Sequence, residues 1–432
     1  MLKALVFRAA VALGIMLGVS PRLFSQSPPN GAVTFRDLLG VNNLPAPQIT
    51  QSLGVTWDRE GLGWGNIEPQ KDHWTWSPTD SLINRVRAQG LQLLGLLAYT
   101  APWAASVPGK TFSPPKDPQD WQNFVEQAVS RYSQPPYSLR YFQVWNEPTS
   151  RAGFWTGTSQ QWVDLIYLPA ARVIHKHNCY VVFGGWPASN TVQELDQVLN
   201  YHDAWRVTDI VDIHYAPPSA FGHLINQWVK TGKCRGVWES EIGYTADPAA
   251  LARNYLLLLD LILRSGWNDP DEFKAFWFTS QGGGANAKLC LSQPGPGGSA
   301  VLTEHGTGLK VLSELLGAGS IATLSGIRTV PPFPPLPSDT ANMVLGFEVG
   351  GNRAVVALLV QRAAAGGPAG ITLQLPLRNR VQTAEFVNAL GERQSLQVNY
   401  RPGLANVRIS AAQITSAVRG AWVIGYVVFD GT

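Results

Sequence analysis

Two short stretches of this 432-residue chain carry residue types that can do chemistry: Trp145-Asn146-Glu147-Pro148 and Trp238-Glu239-Ser240-Glu241-Ile242-Gly243-Tyr244. Each follows a run that reads as a buried strand, residues 141–144 before the first and 235–237 before the second. Each run therefore delivers a glutamate to a strand end. One carboxyl can give a proton while the other attacks carbon, the division of labour by which glycosidic bonds are hydrolysed. The two lie 94 positions apart (241 − 147), about three repeats of the ~30 residues in a strand-plus-helix unit. That spacing fits strands four and seven of an eight-stranded barrel, whose carboxyl ends share one mouth.

The elements that must position these residues follow in alternation. Residues 38–42, 55–59 and 91–97 read as the first three strands, the third almost wholly apolar, as in a strand buried on both faces. Helical periodicity over 80–90, ending in a glycine, separates the second and third. Helices over 120–132, 159–175, 193–199, 221–230 and 249–263 alternate with strands at 141–144, 181–183, 210–214 and the one bearing Glu241. A strand at 273–278 and a helix at 308–316 complete eight units, which predicts an α/β fold, a (β/α)8 TIM barrel over residues 26–324. Beyond a Pro-rich stretch at 331–337, short alternating runs at 344–349, 354–360, 371–375, 384–387, 407–410 and 422–429 predict a small C-terminal antiparallel β-sandwich domain over 325–432.

Composition narrows the class. Hydrophobic residues make up 45% and charged residues 15%, which suits a large buried core and excludes a disordered chain. Lys3 and Arg8 precede an apolar run at 9–19, the pattern of a secretory signal over residues 1–25. An N-terminal anchor is the other reading, although the run is short for a bilayer. The expected location is therefore secreted or periplasmic, with no stable membrane insertion once the signal is removed. Without Lys3, Arg8 and Arg22, 30 basic residues face 30 acidic ones. That balance gives no electrostatic case for nucleic acid. Cys179, Cys234 and Cys290 show no metal-ligand spacing and read as buried free thiols.

The strand-four and strand-seven motifs together resemble the retaining glycoside hydrolases of clan A, most of all family 39 and its endo-acting relatives. Further segments carry the likeness: Val55-Thr56-Trp57-Asp58-Arg59 with Ile67-Glu68-Pro69-Gln70-Lys71, and Tyr99-Thr100-Ala101-Pro102-Trp103 after strand three. The resemblance implies that Glu147 is the acid/base and Glu241 the nucleophile, with Asn146 on the sugar 2-hydroxyl and Arg59 beside Glu241. It places Tyr99 and Trp103 in the loop after strand three and Trp277 under the sugar. It implies a carbohydrate substrate, catalysis by side chains alone, and no metal or organic cofactor. The carboxyls should then stand about 5–5.5 Å apart, and Glu147 must carry its proton at working pH.

Other readings stand beside these. Asn-Glu-Pro alone is a weak signal. Glu239 rivals Glu241, since residues two apart on a regular strand share a face. Related enzymes show His-x-Tyr at the end of strand six, whereas here Tyr215 directly follows His214 and Ala216 takes the expected place. His214 either lines the site or is a satisfied core histidine. Trp64, Trp103, Phe154, Trp155 and Trp186 are sugar platforms or packing, and Asp58 and Glu60 contact hydroxyls or pair within the core. A non-catalytic carbohydrate-binding protein and a transglycosylase using the same residues remain alternatives.

Overall fold

The eight apolar runs become strands because each supplies residues to two environments, the barrel interior and the layer beneath the helices. In the computed structural model they are β1 (Leu39–Asn42), β2 (Trp57–Gly63), β3 (Gln92–Ala98), β4 (Tyr141–Val144), β5 (Tyr180–Val182), β6 (Ile210–His214), β7 (Gly236–Ile242) and β8 (Phe273–Trp277). All neighbours are parallel, and β8 pairs with β1 to close the barrel. The structure describes residues 32–243, 248–317, 319–333, 342–361, 370–376, 381–401, 403–415 and 422–431. The expected signal segment, Tyr244 and part of the Pro-rich stretch lie outside the described residues. No helix among the described residues is long and apolar enough to cross a membrane.

The interior is built in tiers. Trp57, Leu94, Tyr141, Val182, Ile210, Trp238 and Phe276 form an apolar floor. Gly40 is required there, because a Cβ would lie 2.4 Å from the Phe276 ring. Two residues further along four of these strands, the alternation places Arg59, Gln143, Asp212 and Ser240 above the floor. A polar tier therefore sits directly under the mouth.

The helices form where expected, with local reasons for their limits. Pro118–Tyr132 begins at Asp117, whose side chain accepts from the Gln119 amide, with Pro118 in the first turn. The helix expected over 159–175 starts at a Thr158–Gln161 capping box, then passes through a π-turn at Val163–Tyr167 before Leu168–Lys176. Pro169 has no amide proton for a regular helical bond, consistent with the wider turn at that point. The glycine-rich stretch after β8 forms a small ribbon of β9 (Ser292–Pro294) and β10 (Ala300–Leu302).

The C-terminal residues form two antiparallel sheets. One has six strands, ordered β11 (Ile321–Thr323), β13 (Met343–Val349), β14 (Arg353–Gln361), β20 (Trp422–Asp430), β16 (Thr383–Asn388) and β17 (Arg393–Ser395). The other is ordered β12 (Arg328–Val330), β15 (Gly370–Leu375), β19 (Leu404–Ser410) and β18 (Val398–Arg401). Val356, Leu358, Ile371, Leu373, Phe386, Val407 and Val427 fill the space between them. The opposite face of the six-stranded sheet presents Phe347, Val355, Leu359, Tyr426 and Val428 to the barrel's main core. The helix Pro248–Arg264 is caught between barrel and sheet, which accounts for apolar residues around most of its circumference.

Candidate active site

The site is assembled where strand alternation fails. Trp145 and Glu147 hold left-handed backbone (φ 72° and 47°). The break lets consecutive Asn146 and Glu147 both face the mouth, while the Trp145 indole turns away to donate to the Phe154 carbonyl at 2.8 Å. At the other glutamate, β7 carries one extra residue relative to both neighbours. His214 aligns with Glu241 where Asp212 aligns with Trp238, and Trp277 aligns with Ile242 where Ala275 aligns with Glu239. This bulge resets the alternation. Ser240 and Glu241 reach into the barrel, whereas Glu239 points outward toward Arg253 and Asn254 of the helix Pro248–Arg264. The expectation that 239 and 241 share a face is therefore corrected. Glu239 accepts from the Ala216 amide at 2.6 Å, and burial pushes its carboxyl well above the ordinary range.

Arg59 is the hub. Its Nη1 donates to Glu241 Oε1 at 2.8 Å and Asn42 Oδ1 at 2.9 Å, its Nη2 to Asn146 Oδ1 at 2.6 Å, and its Nε to Gln143 Oε1 at 2.6 Å. Because Asn146 accepts with its oxygen, its amide N–H groups are free to face Tyr99 and the mouth. Tyr215 solves the spacing problem with a left-handed backbone (φ 50°). Its hydroxyl swings back to donate to Glu241 Oε2 at 2.6 Å, while its amide donates to the Glu241 carbonyl at 2.8 Å. Burial alone would raise the Glu241 carboxyl, but charge on His214 and Arg59 and the Tyr215 hydrogen bond hold it below its usual range.

Glu147 has a different partner. Its Oε1 lies 2.9 Å from His214 Nδ1, and the other imidazole nitrogen lies 2.9 Å from Ser240 Oγ. His214 is fully buried and in the site, not a satisfied core histidine apart from it. Gly185 (φ 60°) gives the ring its room, since a Cβ there would meet Nε2 at 2.2 Å. Burial opposes charge on His214, but Glu241, Glu147 and Asp212 together raise its affinity for a proton.

Other expected residues divide. Tyr99 stands beside Asn146, its phenol pushed up to about 12 by burial. With Phe112 (4.7 Å, edge-on) and Phe154 (6.1 Å, stacked) it forms a partly exposed aromatic cluster. Trp103 packs edge-on against Trp64 and donates to the Glu68 carbonyl at 2.8 Å, and Trp64, Trp155 and Trp186 are buried packing. Trp277 is not under the mouth. It points outward toward Tyr255 and His305 and bonds the Leu289 carbonyl at 2.9 Å. Phe276 lies in the floor, so alternation turns the half-buried Phe278 toward the mouth instead. Asp58 and Glu60 also face outward. Burial and the neighbouring Glu60 push the Asp58 carboxyl well above its ordinary range.

Gln143, Asp212, Ser240 and Asn42 escaped the sequence reading as site residues. The signal for the first three is a polar residue in a barrel strand two positions after a floor residue. Ligand atoms of Glu147, His214 and Glu241 lie within 4.8 Å of one another. The set does not suit a cation, since Arg59 and Tyr215 already occupy Glu241 and a second positive charge would stand beside the guanidinium.

No family model matches the chain. A stretch of 77 residues is 34% identical to a beta-xylosidase of Caldicellulosiruptor saccharolyticus, spanning 17% of this chain and 16% of that protein. The fold is shared with solved glycoside hydrolases. A family 39 enzyme from Bacteroides cellulosilyticus WH2 superposes with a TM-score of 0.63 at 15% identity, over 92% of this chain and 82% of that one. A family 30 endoxylanase from Clostridium papyrosolvens C71 gives 0.60 at 13% identity, over 93% and 98%. A glucosidase from Croceicoccus marinus gives 0.61 at 14% identity, over 93% and 98%.

Proposed function

We propose that the chain is a retaining glycoside hydrolase, with Glu147 as acid/base and Glu241 as nucleophile, acting on a poly- or oligosaccharide outside the cytoplasm. The observation that carries this reading is the pair itself. A Glu147 oxygen and a Glu241 oxygen lie within 4.8 Å, in keeping with the roughly 5–5.5 Å separation of retaining enzymes and short of the ~6.5–9.5 Å that admits an intervening water. The partners support the division of roles. Glu241, held by a guanidinium, stays ionised to attack the anomeric carbon. Glu147, held by an imidazole, gives its proton to the leaving oxygen and later takes one from water. In this reading Asn146, whose oxygen accepts from Arg59, donates with its amide to the sugar 2-hydroxyl. Export rests on the signal-like composition of residues 1–25.

The test is intact mass after exposure to 2-deoxy-2-fluoro xylosyl and glucosyl fluorides, with peptide mapping. The related xylosidase, endoxylanase and glucosidase named above suggest these sugars. An adduct on Glu241 is expected. An adduct on Glu239 would reverse the assignment, and no adduct together with no new reducing ends from xylan or β-glucan would favour carbohydrate binding without hydrolysis.

A further inference from the structure

Beneath the two carboxyls lies a hydrogen-bond network whose donors can be assigned uniquely. Arg59 can only donate, so Gln143 Oε1 accepts from Arg59 Nε, and the Gln143 amide nitrogen must face Ser240 Oγ at 3.0 Å and Asp212 Oδ2. Asp212 Oδ1 takes the Ser240 amide at 2.9 Å, and Asp212 Oδ2 takes the Ser240 hydroxyl proton at 2.6 Å. Burial pushes the Asp212 carboxyl up to about 6 against the pull of His214, Ser240 and Arg59, so above that pH it is an anion that only accepts. With its single proton committed, Ser240 Oγ can only accept from His214 Nε2 at 2.9 Å. The imidazole hydrogen therefore sits on Nε2, and Nδ1 is left facing Glu147 Oε1.

That tautomer constrains Glu147. A neutral His214 beside an ionised Glu147 would set two lone pairs against each other at 2.9 Å, with Glu241 Oε2 a further acceptor at 3.8 Å. One proton between Glu147 and Nδ1 removes the clash. The opposite tautomer, with hydrogen on Nδ1, would satisfy an ionised Glu147 and leave it no proton to give. The charged groups facing His214 are Glu147 from the end of β4, Glu241 from β7, Asp212 from its own strand and Arg59 from β2.

We propose that Ser240 and Asp212 are positioning residues that hold hydrogen on Nε2 of His214 and so leave Nδ1 to share the acid proton with Glu147. This inference rests on the hydrolase reading. In the cycle, the proton passes from the Glu147 carboxyl to the glycosidic oxygen as the bond to the anomeric carbon breaks. The Glu147 carboxylate then recovers a proton from the water that attacks the glycosyl-enzyme, and His214 keeps its Nε2 hydrogen throughout.

The tautomer is read directly by 15N NMR of histidine-labelled protein above pH 6, with His214→Gln identifying the resonances. A protonated Nε2 is expected, and a state protonated only at Nδ1 overturns the proposal whether or not any glycoside is cleaved. Kinetically, Ser240→Ala and Asp212→Asn should lower the basic limb of kcat/KM for alkyl glycosides by about one pH unit. Ser240→Thr should restore it. The same variants should leave the profile of 2,4-dinitrophenyl glycosides in place, because that leaving group needs no proton. A basic limb that stays put in both variants overturns the proposal. Absence of turnover on every glycoside would instead sink the hydrolase reading, with the tautomer still decided by NMR.

Discussion

Glu147 and Glu241 are the same side chain at equivalent strand ends, yet their surroundings differ in one decisive respect. Glu241 is paired with a guanidinium that keeps its charge at any working pH and with a phenol that can only strengthen the anion. Glu147 is paired with an imidazole, which gains or loses a proton in the range where enzymes work. Under the proposed roles, permanence of the partner's charge, rather than depth of burial, is what separates a nucleophile from a proton donor.

The comparison can be broken most severely at Glu241. Glu241→Gln should lower kcat on the order of 10⁵-fold for every glycoside, with azide rescuing turnover of the Glu241→Gly variant to an inverted azide. Glu147→Gln should cost about 10²–10⁴-fold on alkyl glycosides but little on 2,4-dinitrophenyl glycosides, a leaving-group series that Glu241 variants would not show. Arg59→Met removes the charge that opposes burial at Glu241. The Glu241 carboxyl then rises, so activity disappears at a higher pH on the acid side; the acidic limb of kcat/KM should move up by roughly 1–3 units. Tyr215→Phe deletes one hydrogen bond to the anion, worth about 1.5–3 kcal/mol, and should slow the glycosylation step ~10–100-fold in pre-steady-state measurements. Glu239→Gln should be the mildest. Burial pushes its carboxyl well above the ordinary range and a Gln oxygen can still accept from the Ala216 amide, so the unfolding free energy and the activation free energy should each change by less than about 0.5 kcal/mol.

Most of the frame was legible because barrel strands are short apolar runs at regular intervals. Strands β4 and β6 fall on the expected residues, and the other six shift at one or both ends. The fold brings Glu147, Glu241, Asn146 and Arg59 from their motif positions to one mouth, but the sequence was not legible where backbone geometry overrides alternation. Parity alone gave Glu239 the same face as Glu241, and the bulge at Ser240 separates them. The His-x-Tyr pattern of the resembled family pointed to residue 216, and a left-handed residue returns Tyr215 to the mouth instead. Trp277 was misplaced by one residue, since its neighbour Phe276 faces inward. The polar tier was hidden for another reason. Gln143 and Asp212 acquire meaning only when strands far apart in sequence close around a common axis.

The helix Pro248–Arg264 carries a consequence for how the molecule comes together. It follows directly on the strand that bears Glu241, yet part of its cover is β20, which lies at the centre of the six-stranded sheet, hydrogen-bonded to both β14 and β16. That strand arrives roughly 160 residues after the helix, so its contacts have high sequence separation and form late. Until β20 inserts, a newly made chain shows a greasy helix and two unpaired strand edges, the surfaces by which nascent proteins are captured by chaperones or by one another. The sheet is thus a cap that completes the barrel's own interior, and the wait for it is when the chain is most exposed to aggregation.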